Sequence, residues 1–356
     1  MSLKVRLYDV VFDNPLLPAS GPIVGSIHNL LHFNHSKVGG IVTKTISVEG
    51  AVVSKPCIVG KDNTIYNTEL WSEYPVDRWS DQILPELKNV ICKPLIVSVG
   101  YTSSDMEKVV PKVDEFADFF EVSTHYGMDE LGHLVEKICS LTDKPVFVKL
   151  SPHIQDYIAF VEKAVEHGAK GIVAINSLGP GMIVDLKSRS VTIGVDGGKS
   201  WISGPSIKPI ALHRVANIRK AFPNLPIIAC GGVEKAEDVL EFILAGADLV
   251  QMLSSSMIKG RELFDKIVSD LPAVMTRYEI DSIEELRNTA LSTTPLGKGG
   301  HPVVDHNVCT KCRLCVRICP EMALSLDLNI QLNSERCISC GLCQSRCPVD
   351  AISGVI

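Results

Sequence analysis

Eight short apolar runs recur along the larger part of the chain, at residues 16–19, 40–45, 94–99, 119–123, 145–150, 171–176, 226–230 and 249–253. Runs of this length suit strands better than helices, and near-continuous apolar character suits strands covered on both faces. Between most of them lie stretches with apolar residues at helical spacing, at 129–139, 156–167, 207–221, 234–245 and 261–271. Strands alternating with amphipathic helices assemble as βα units around a parallel sheet. Eight such strands predict an α/β fold of the TIM (β/α)8 barrel type; a doubly wound open sheet is the alternative with the same alternation.

The pattern breaks at residues 293–302, where Gly and Pro replace apolar periodicity and a linker is expected. It separates a barrel at 1–292 from a small unit at 303–356. The cysteines mark the same division. Cys57, Cys92, Cys139 and Cys230 are scattered, whereas eight crowd into the tail as Cys309-x2-Cys312-x2-Cys315-x3-Cys319-Pro320 and Cys337-x2-Cys340-x2-Cys343-x3-Cys347-Pro348. Each cysteine of the second run lies 28 positions after its counterpart, an internal duplication. Three thiolates at these spacings reach three corners of a cubane, and the fourth, after a longer spacer, is directed to the other cluster. Cys309, Cys312, Cys315 and Cys347 are thereby assigned to one [4Fe-4S] cluster, and Cys337, Cys340, Cys343 and Cys319 to a second. Disulfides and structural zinc are the competing uses, but zinc sites pair two CxxC units rather than two four-cysteine runs ending in proline. The tail resembles bacterial-type two-cluster ferredoxins.

Hydrophobic residues at 46% and charged ones at 21% suffice for a full core and exclude wholesale disorder. Lys and Arg total 35 against 41 Asp and Glu, and the net charge of -6 is not gathered into blocks, so neither nucleic acid nor an anionic membrane is an expected partner. With no signal-like amino end and no apolar run of about 18 residues, a cytoplasmic protein is expected.

In a barrel, chemistry gathers at the carboxyl ends of the strands. There the sequence places Ala19-Ser20-Gly21, Thr43-Lys44-Thr45, Ser123-Thr124-His125, Lys149-Leu150-Ser151, Asn176-Ser177, Gly231-Gly232 and Ser254-Ser255-Ser256. Bare amides at Gly231 and Gly232 and hydroxyls at Ser254 and Ser255, after the last two strands, suit a phosphate. Lys44 and Lys149 stand in otherwise apolar runs, where a buried ammonium needs an anionic partner such as a ligand; otherwise they turn to solvent. Iron–sulfur clusters beside a phosphate-binding barrel make FMN the economical cofactor, because it exchanges electrons in pairs with a substrate and singly with clusters.

Further pieces occur in a specific order: Asn14-Pro15, Asn67-Thr68-Glu69-Leu70 with Ser72-Glu73, Val148-Lys149-Leu150, the run from Ser203-Gly204-Pro205 to Leu212, and Gln251 followed by Ser254. Together with the strand-end residues they make nearly the whole chain similar to the dihydroorotate dehydrogenase family. Within it, they more closely resemble the dihydropyrimidine dehydrogenase branch, where an FMN barrel precedes a two-cluster ferredoxin segment. The resemblance implies that Ala19, Ser20, Gly21, Lys44, Thr45, Asn67 and Asn176 line the flavin and that Gly204, Gly231, Gly232, Ser254 and Ser255 hold its phosphate end. Lys149 would face the N1/O2 side of the ring, where a cation stabilises the charge that develops as the ring accepts hydride. Asn67, Asn176 and Ser177 would meet a planar, amide-bearing cyclic substrate, and Glu69 would accept an N–H from it.

One segment departs from the family. Members commonly carry Asn-x-Ser-Cys-Pro after the fourth strand and a flexible loop that supplies the proton-exchanging side chain. Here the chain reads Glu121-Val122-Ser123-Thr124-His125-Tyr126-Gly127-Met128, without Cys or Pro and with Glu121 in place of the asparagine. Hydride addition to a C=C bond still needs a proton on the adjacent carbon, so His125 and Tyr126 become the candidate acids; Thr124 holds the motif position but is a poor acid. Glu121 is a candidate to bind a cationic or N–H-rich substrate, which puts standard pyrimidines in question. No G-x-G-x-x-G follows a strand, so no nicotinamide site of the Rossmann type is visible. Electrons are expected to pass between FMN, the clusters and an external protein, either a flavoprotein subunit, as the resemblance implies, or a ferredoxin. The leading expectation is an oxidoreductase acting on a C=C or CH–CH bond of a small polar cyclic compound. The alternatives are the same machinery on a non-pyrimidine substrate, or an electron-transfer subunit whose barrel only docks a partner. The sequence leaves a homo-oligomer open.

Overall fold

A computed structural model describes residues 2–123, 128–292 and 299–356. Two compact units divide after Leu291. In the first, eight parallel strands form one sheet: β1 (Leu16–Pro18), β2 (Ile41–Val42), β3 (Leu95–Val99), β4 (Phe119–Ser123), β5 (Val146–Leu150), β6 (Gly171–Ala174), β7 (Ile227–Cys230) and β8 (Leu249–Met252). Hydrogen-bonded neighbours follow the order β1-β8-β7-β6-β5-β4-β3-β2. The two ends of this order meet where the Gly39 N–H, just ahead of β2, donates to Leu16 O at 2.9 Å, so the ring is nearly closed. Gly39 is needed for that approach, since a Cβ there would lie 1.9 Å from Asn14 O. Asn14 pins the same corner: its Nδ2 donates to Lys37 O at 2.7 Å and its Oδ1 accepts from Leu16 N–H at 3.1 Å. The near closure identifies the (β/α)8 barrel and sets aside the open sheet. Every residue of β3, β4 and β5 is buried, as expected of strands packed between the barrel interior and a helical layer.

The outer layer contains α1 (Ile27–His35), α2 (Ser103–Val113), α3 (Met128–Cys139), α4 (Tyr157–Glu166), α5 (Lys208–Ala221), α6 (Ala236–Leu244), α7 (Ser254–Lys259) and α8 (Leu263–Arg277). Side chains set several of the starts. Asp156 caps α4 by accepting from Ala159 N–H at 3.0 Å, and Thr102 with Asp105 forms a capping box on α2. Helix α8 outruns its expected end at 271 by passing through Pro272 to Arg277; the proline removes one hydrogen bond but its fixed φ is helical. Pro111 inside α2 disguised that helix in the same way.

The sequence periodicity did not reveal an antiparallel sheet of the strands Leu178–Gly181, Ser200–Ser203, Thr64–Asn67 and Ile58–Lys61, in that spatial order. It is built from excursions after β2 and β6 and stands beside the carboxyl ends of the barrel strands, with Trp201 paired to Asn67. Its hairpin turns at Asp62-Asn63, both at positive φ (51° and 59°), as a two-residue turn requires.

In the second unit, Val303–Val304 pairs with Ile352–Ser353, and Leu324–Leu326 pairs with Ile330–Leu332. Helices α9 (Leu314–Ile318) and α10 (Leu342–Ser345) each follow a left-handed residue, Arg313 and Gly341, at equivalent places in the duplication. Among the described residues, no helix is long and apolar enough to cross a membrane.

Candidate active site and cluster cradles

A cavity of about 1240 Å³, counting its open mouth, lies at the carboxyl ends of the barrel strands. Its lining brings together Ala19, Ser20 and Gly21 after β1, Lys44 and Thr45 after β2, Glu121 and Ser123 on β4, and Lys149 on β5. Asn176 and Ser177 after β6, Gly231 and Gly232 after β7, and Ser254 and Ser255 at the start of α7 complete the barrel's share. The antiparallel sheet and its flanks add Ile58, Ile65, Asn67, Glu69, Trp201 and Gly204. Thr124, His125 and Tyr126 lie outside the described residues.

Lys149 sits in a buried polar cluster that spans the barrel interior. Its Nζ is 3.0 Å from Glu121 Oε1 on β4 and 3.4 Å from Gln251 Oε1 on β8. Gln251 Nε2 donates to the other Glu121 oxygen at 2.7 Å. Burial alone would push the Lys149 pKa down, but the attraction of Glu121, with its hydrogen bond, outweighs burial and holds it above its ordinary value. Lys149 is therefore an ammonium at neutral pH. Burial pushes the nearby Cys230 thiol up, against the lowering pull of Lys149, so the sulfur stays protonated.

Lys44 is held in a second cluster. Its Nζ lies 2.8 Å from Glu69 Oε2 and 2.8 Å from Glu73 Oε2. Lys55 Nζ approaches the other oxygen of each at 3.6 Å, and the Cys57 thiol donates to Glu69 Oε1 at 2.8 Å. Burial would raise the Glu73 carboxyl, but the Lys44 hydrogen bond, a backbone hydrogen bond and the attraction of Lys44 and Lys55 together outweigh it and hold the group below its ordinary value. The anionic partners that the two buried lysines require thus come from the protein itself. Glu69, expected to accept from a substrate, has its carboxylate engaged by Lys44, Lys55 and Cys57. Glu121, expected to meet a cationic or N–H-rich substrate, has both oxygens committed and no exposed side-chain surface (0%).

The opposite end of the cavity is different in kind. Gly204, Gly231 and Gly232 all adopt positive φ (127°, 138° and 77°). A Cβ on Gly232 would fall 2.7 Å from Lys208 Cβ and 2.9 Å from Gly204 O. Ser254 donates to Ser203 Oγ at 2.7 Å. Among the described residues the lining carboxylates are Glu69 and Glu121, and neither belongs to this glycine and serine end. Bare amides and hydroxyls without a carboxylate fit a phosphate, and Ile58, Ile175, Trp201 and Met257 give apolar walls suited to a flat ring system. The donor set therefore fits FMN.

Asn67 and Asn176 each spend part of the side chain on local backbone. Asn67 Oδ1 accepts from Glu69 N–H at 3.2 Å, and Asn176 Oδ1 accepts from Ser177 N–H at 2.8 Å. Orienting bonds of this kind turn the remaining amide edge of Asn176 to other partners. Sequence reasoning missed Tyr101 and Trp201, both of which line the cavity. Tyr101 stands two residues after Val99, which ends the third apolar run, so a survey of every strand end would have found it. Trp201 belongs to the antiparallel sheet, which carried no periodic signal.

In the second unit, Cys309, Cys312, Cys315 and Cys347 line one cavity, and Cys319, Cys337, Cys340 and Cys343 line another. The duplication extends to the sulfur hydrogen bonds: Ala323 N–H donates to Cys319 Sγ and Ala351 N–H to Cys347 Sγ, both at 3.3 Å. Among the described residues, no group of three or more His, Cys, Asp or Glu converges as one metal ion would require. Thiols spread around a cavity suit the corners of a cluster instead.

Residues 2–275 match the dihydroorotate dehydrogenase family, and residues 299–351 match the 4Fe-4S dicluster domain family. The chain belongs to the dihydroorotate dehydrogenase family. A relative from Pyrococcus abyssi, the catalytic subunit of dihydroorotate dehydrogenase B (NAD(+)), is 31% identical over 305 residues, covering 81% of this chain and 99% of the relative. The corresponding subunit from Listeria innocua is 29% identical over 82% of this chain and 99% of its own length. Dihydroorotate dehydrogenase A (fumarate) from Limosilactobacillus reuteri is 31% identical over 80% of this chain and 96% of its own length. As a member of the dihydroorotate dehydrogenase family fused to a dicluster domain, the chain is an oxidoreductase acting on CH–CH groups. It carries FMN in the barrel and two [4Fe-4S] clusters in the tail.

Proposed function

We propose that the chain interconverts a C=C bond and a CH–CH bond in a small cyclic amide of the dihydroorotate or dihydropyrimidine type, exchanging electrons through its clusters with a separate electron-transfer protein. FMN, when bound, supplies hydride exchange at N5. The residues of this chain do the rest. Gly204, Gly231, Gly232, Ser254 and Ser255 hold the phosphate; Ala19, Ser20, Gly21, Lys44, Thr45 and Lys149 bound the ring. Asn67, Asn176 and Ser177 present amide and hydroxyl groups to the substrate's ring edge. His125 or Tyr126 delivers the proton to the adjacent carbon. Cys309, Cys312, Cys315 and Cys347 ligate one cluster; Cys337, Cys340, Cys343 and Cys319 ligate the other. The partner is a flavoprotein subunit or a ferredoxin.

The observation that carries this reading is the cavity itself. One end is lined by glycines and hydroxyls, and an ammonium-bearing polar cluster lies at the barrel interior. The test is anaerobic mixing of dithionite-reduced protein with orotate, uracil, thymine and further cyclic imides while the visible flavin absorbance is followed. The reading requires substrate-dependent reoxidation of the flavin by at least one of them. No response to any cyclic amide or imide would favour a barrel that only relays electrons.

A further inference from the structure

We propose that Glu121 is a resident counter-charge to Lys149 that lowers the reduction potential of the flavin. The inference rests on the reading above, in which the flavin ring lies against Lys149. It goes beyond that reading by giving the residue that breaks the family pattern a task toward the cofactor rather than the substrate.

The geometry comes from the barrel. In the β4–β5 ladder, Ser123 is paired with Lys149, and Glu121 lies two residues before Ser123, so Glu121 and Lys149 are diagonal neighbours on one face. Gln251 comes from β8, which pairs with neither strand, so its contact with both closes the triad across the barrel interior. Both carboxylate oxygens are thereby occupied, one by Lys149 and one by Gln251. The side chains of Lys149 and Glu121 are only 6% and 0% exposed, so little solvent screens the pair.

A lone ammonium beside the ring would stabilise the negative charge that the ring gains on reduction. A carboxylate 3.0 Å from that ammonium opposes it in part, because two opposite charges so close act on a third group as a dipole rather than as a full positive charge. The other groups around the pair do not restore the imbalance. Cys230 on β7 remains a neutral thiol, Gln251 is uncharged, and Lys44 is matched by Glu69 and Glu73. The ring's negative charge is therefore less favoured than it would be with the neutral asparagine of the family pattern at position 121. The bound flavin becomes a stronger reductant, and its reduced ring relies more on taking up a proton than on Lys149.

The test is potentiometry of the purified holoprotein and of the variants Glu121→Gln, Glu121→Asn and Lys149→Gln across a pH series. Both Glu121 variants are expected to favour the reduced flavin at least tenfold, a rise of about 30 mV for a two-electron couple, and to show a shallower fall of potential with pH. Lys149→Gln is expected to lower the potential. If Lys149→Gln leaves the potential unchanged, the placement of the ring beside Lys149 fails. If Lys149→Gln shifts it but neither Glu121 variant does, the placement survives and the counter-charge proposal is overturned. Loss of flavin from both Glu121 variants also overturns it, since the pair would then be a structural prop.

Discussion

Lys149→Met keeps most of the side-chain volume but removes the ammonium from a site where Glu121 is fully buried. The carboxylate would keep its 2.7 Å hydrogen bond from Gln251 but lose the cation 3.0 Å away. Removing one member of a buried ion pair typically costs about 3–5 kcal/mol, whereas replacing both members with neutral groups of similar volume is often close to neutral. Lys149→Met should therefore destabilise the barrel by about 3–5 kcal/mol, and Lys149→Met/Glu121→Gln should recover most of that loss. Urea unfolding followed by tryptophan fluorescence isolates the barrel, because Trp71, Trp79 and Trp201 all lie within it. The pair also sets a pH window. Because the folded Lys149 pKa is raised above 10.5, its contribution is fully present below that value and is lost only as pH climbs through the raised one. The single-to-double difference should accordingly be flat around neutrality. A loss under about 1 kcal/mol for Lys149→Met, or a double variant no better than the single, would refute the buried-pair account.

Three further outcomes are expected. Gly232→Ala forces a Cβ into a residue at φ 77° and to within 2.9 Å of Gly204 O, so flavin retention on gel filtration should drop and stability should fall by about 1–2 kcal/mol; full retention would count against the phosphate cradle. Cys347→Ser should remove the cluster of the first cysteine run and spare the other in electron paramagnetic resonance, and loss of the second-run cluster instead would reject the crossed ligation. His125→Ala should cut turnover while leaving FMN bound, and near-normal turnover would move the proton delivery to Tyr126 or water.

The barrel was legible because all eight strands are short and, Cys230 apart, buried, so apolar runs alone located them; β4 matches its run at both ends. Helices containing proline were the weak point, since Pro111 and Pro272 look like stops in a sequence yet sit inside α2 and α8. The antiparallel sheet was illegible for a different reason. Its strands are half-exposed and four residues long, and the clearest mark, Asp62-Asn63, gains meaning only from its two positive φ values. In the site, residue types at strand ends picked out positions that line one cavity, but not the partners of those residues. Glu121 meets Gln251 from a strand 130 positions away, and Glu69 meets Lys44, Lys55 and Cys57, so carboxylates that looked available to a ligand are already paired. The cysteine pattern carried more, because cluster ligation fixes spacing along the chain as well as position in space.

Anaerobic purification followed by cofactor analysis and a substrate titration tests the central claim most directly. The account predicts one FMN and about eight iron atoms with matching acid-labile sulfide per chain, with reduced clusters appearing in electron paramagnetic resonance as a dihydro-substrate bleaches the flavin. A colourless protein, or flavin bleaching that never reaches the clusters, would contradict it.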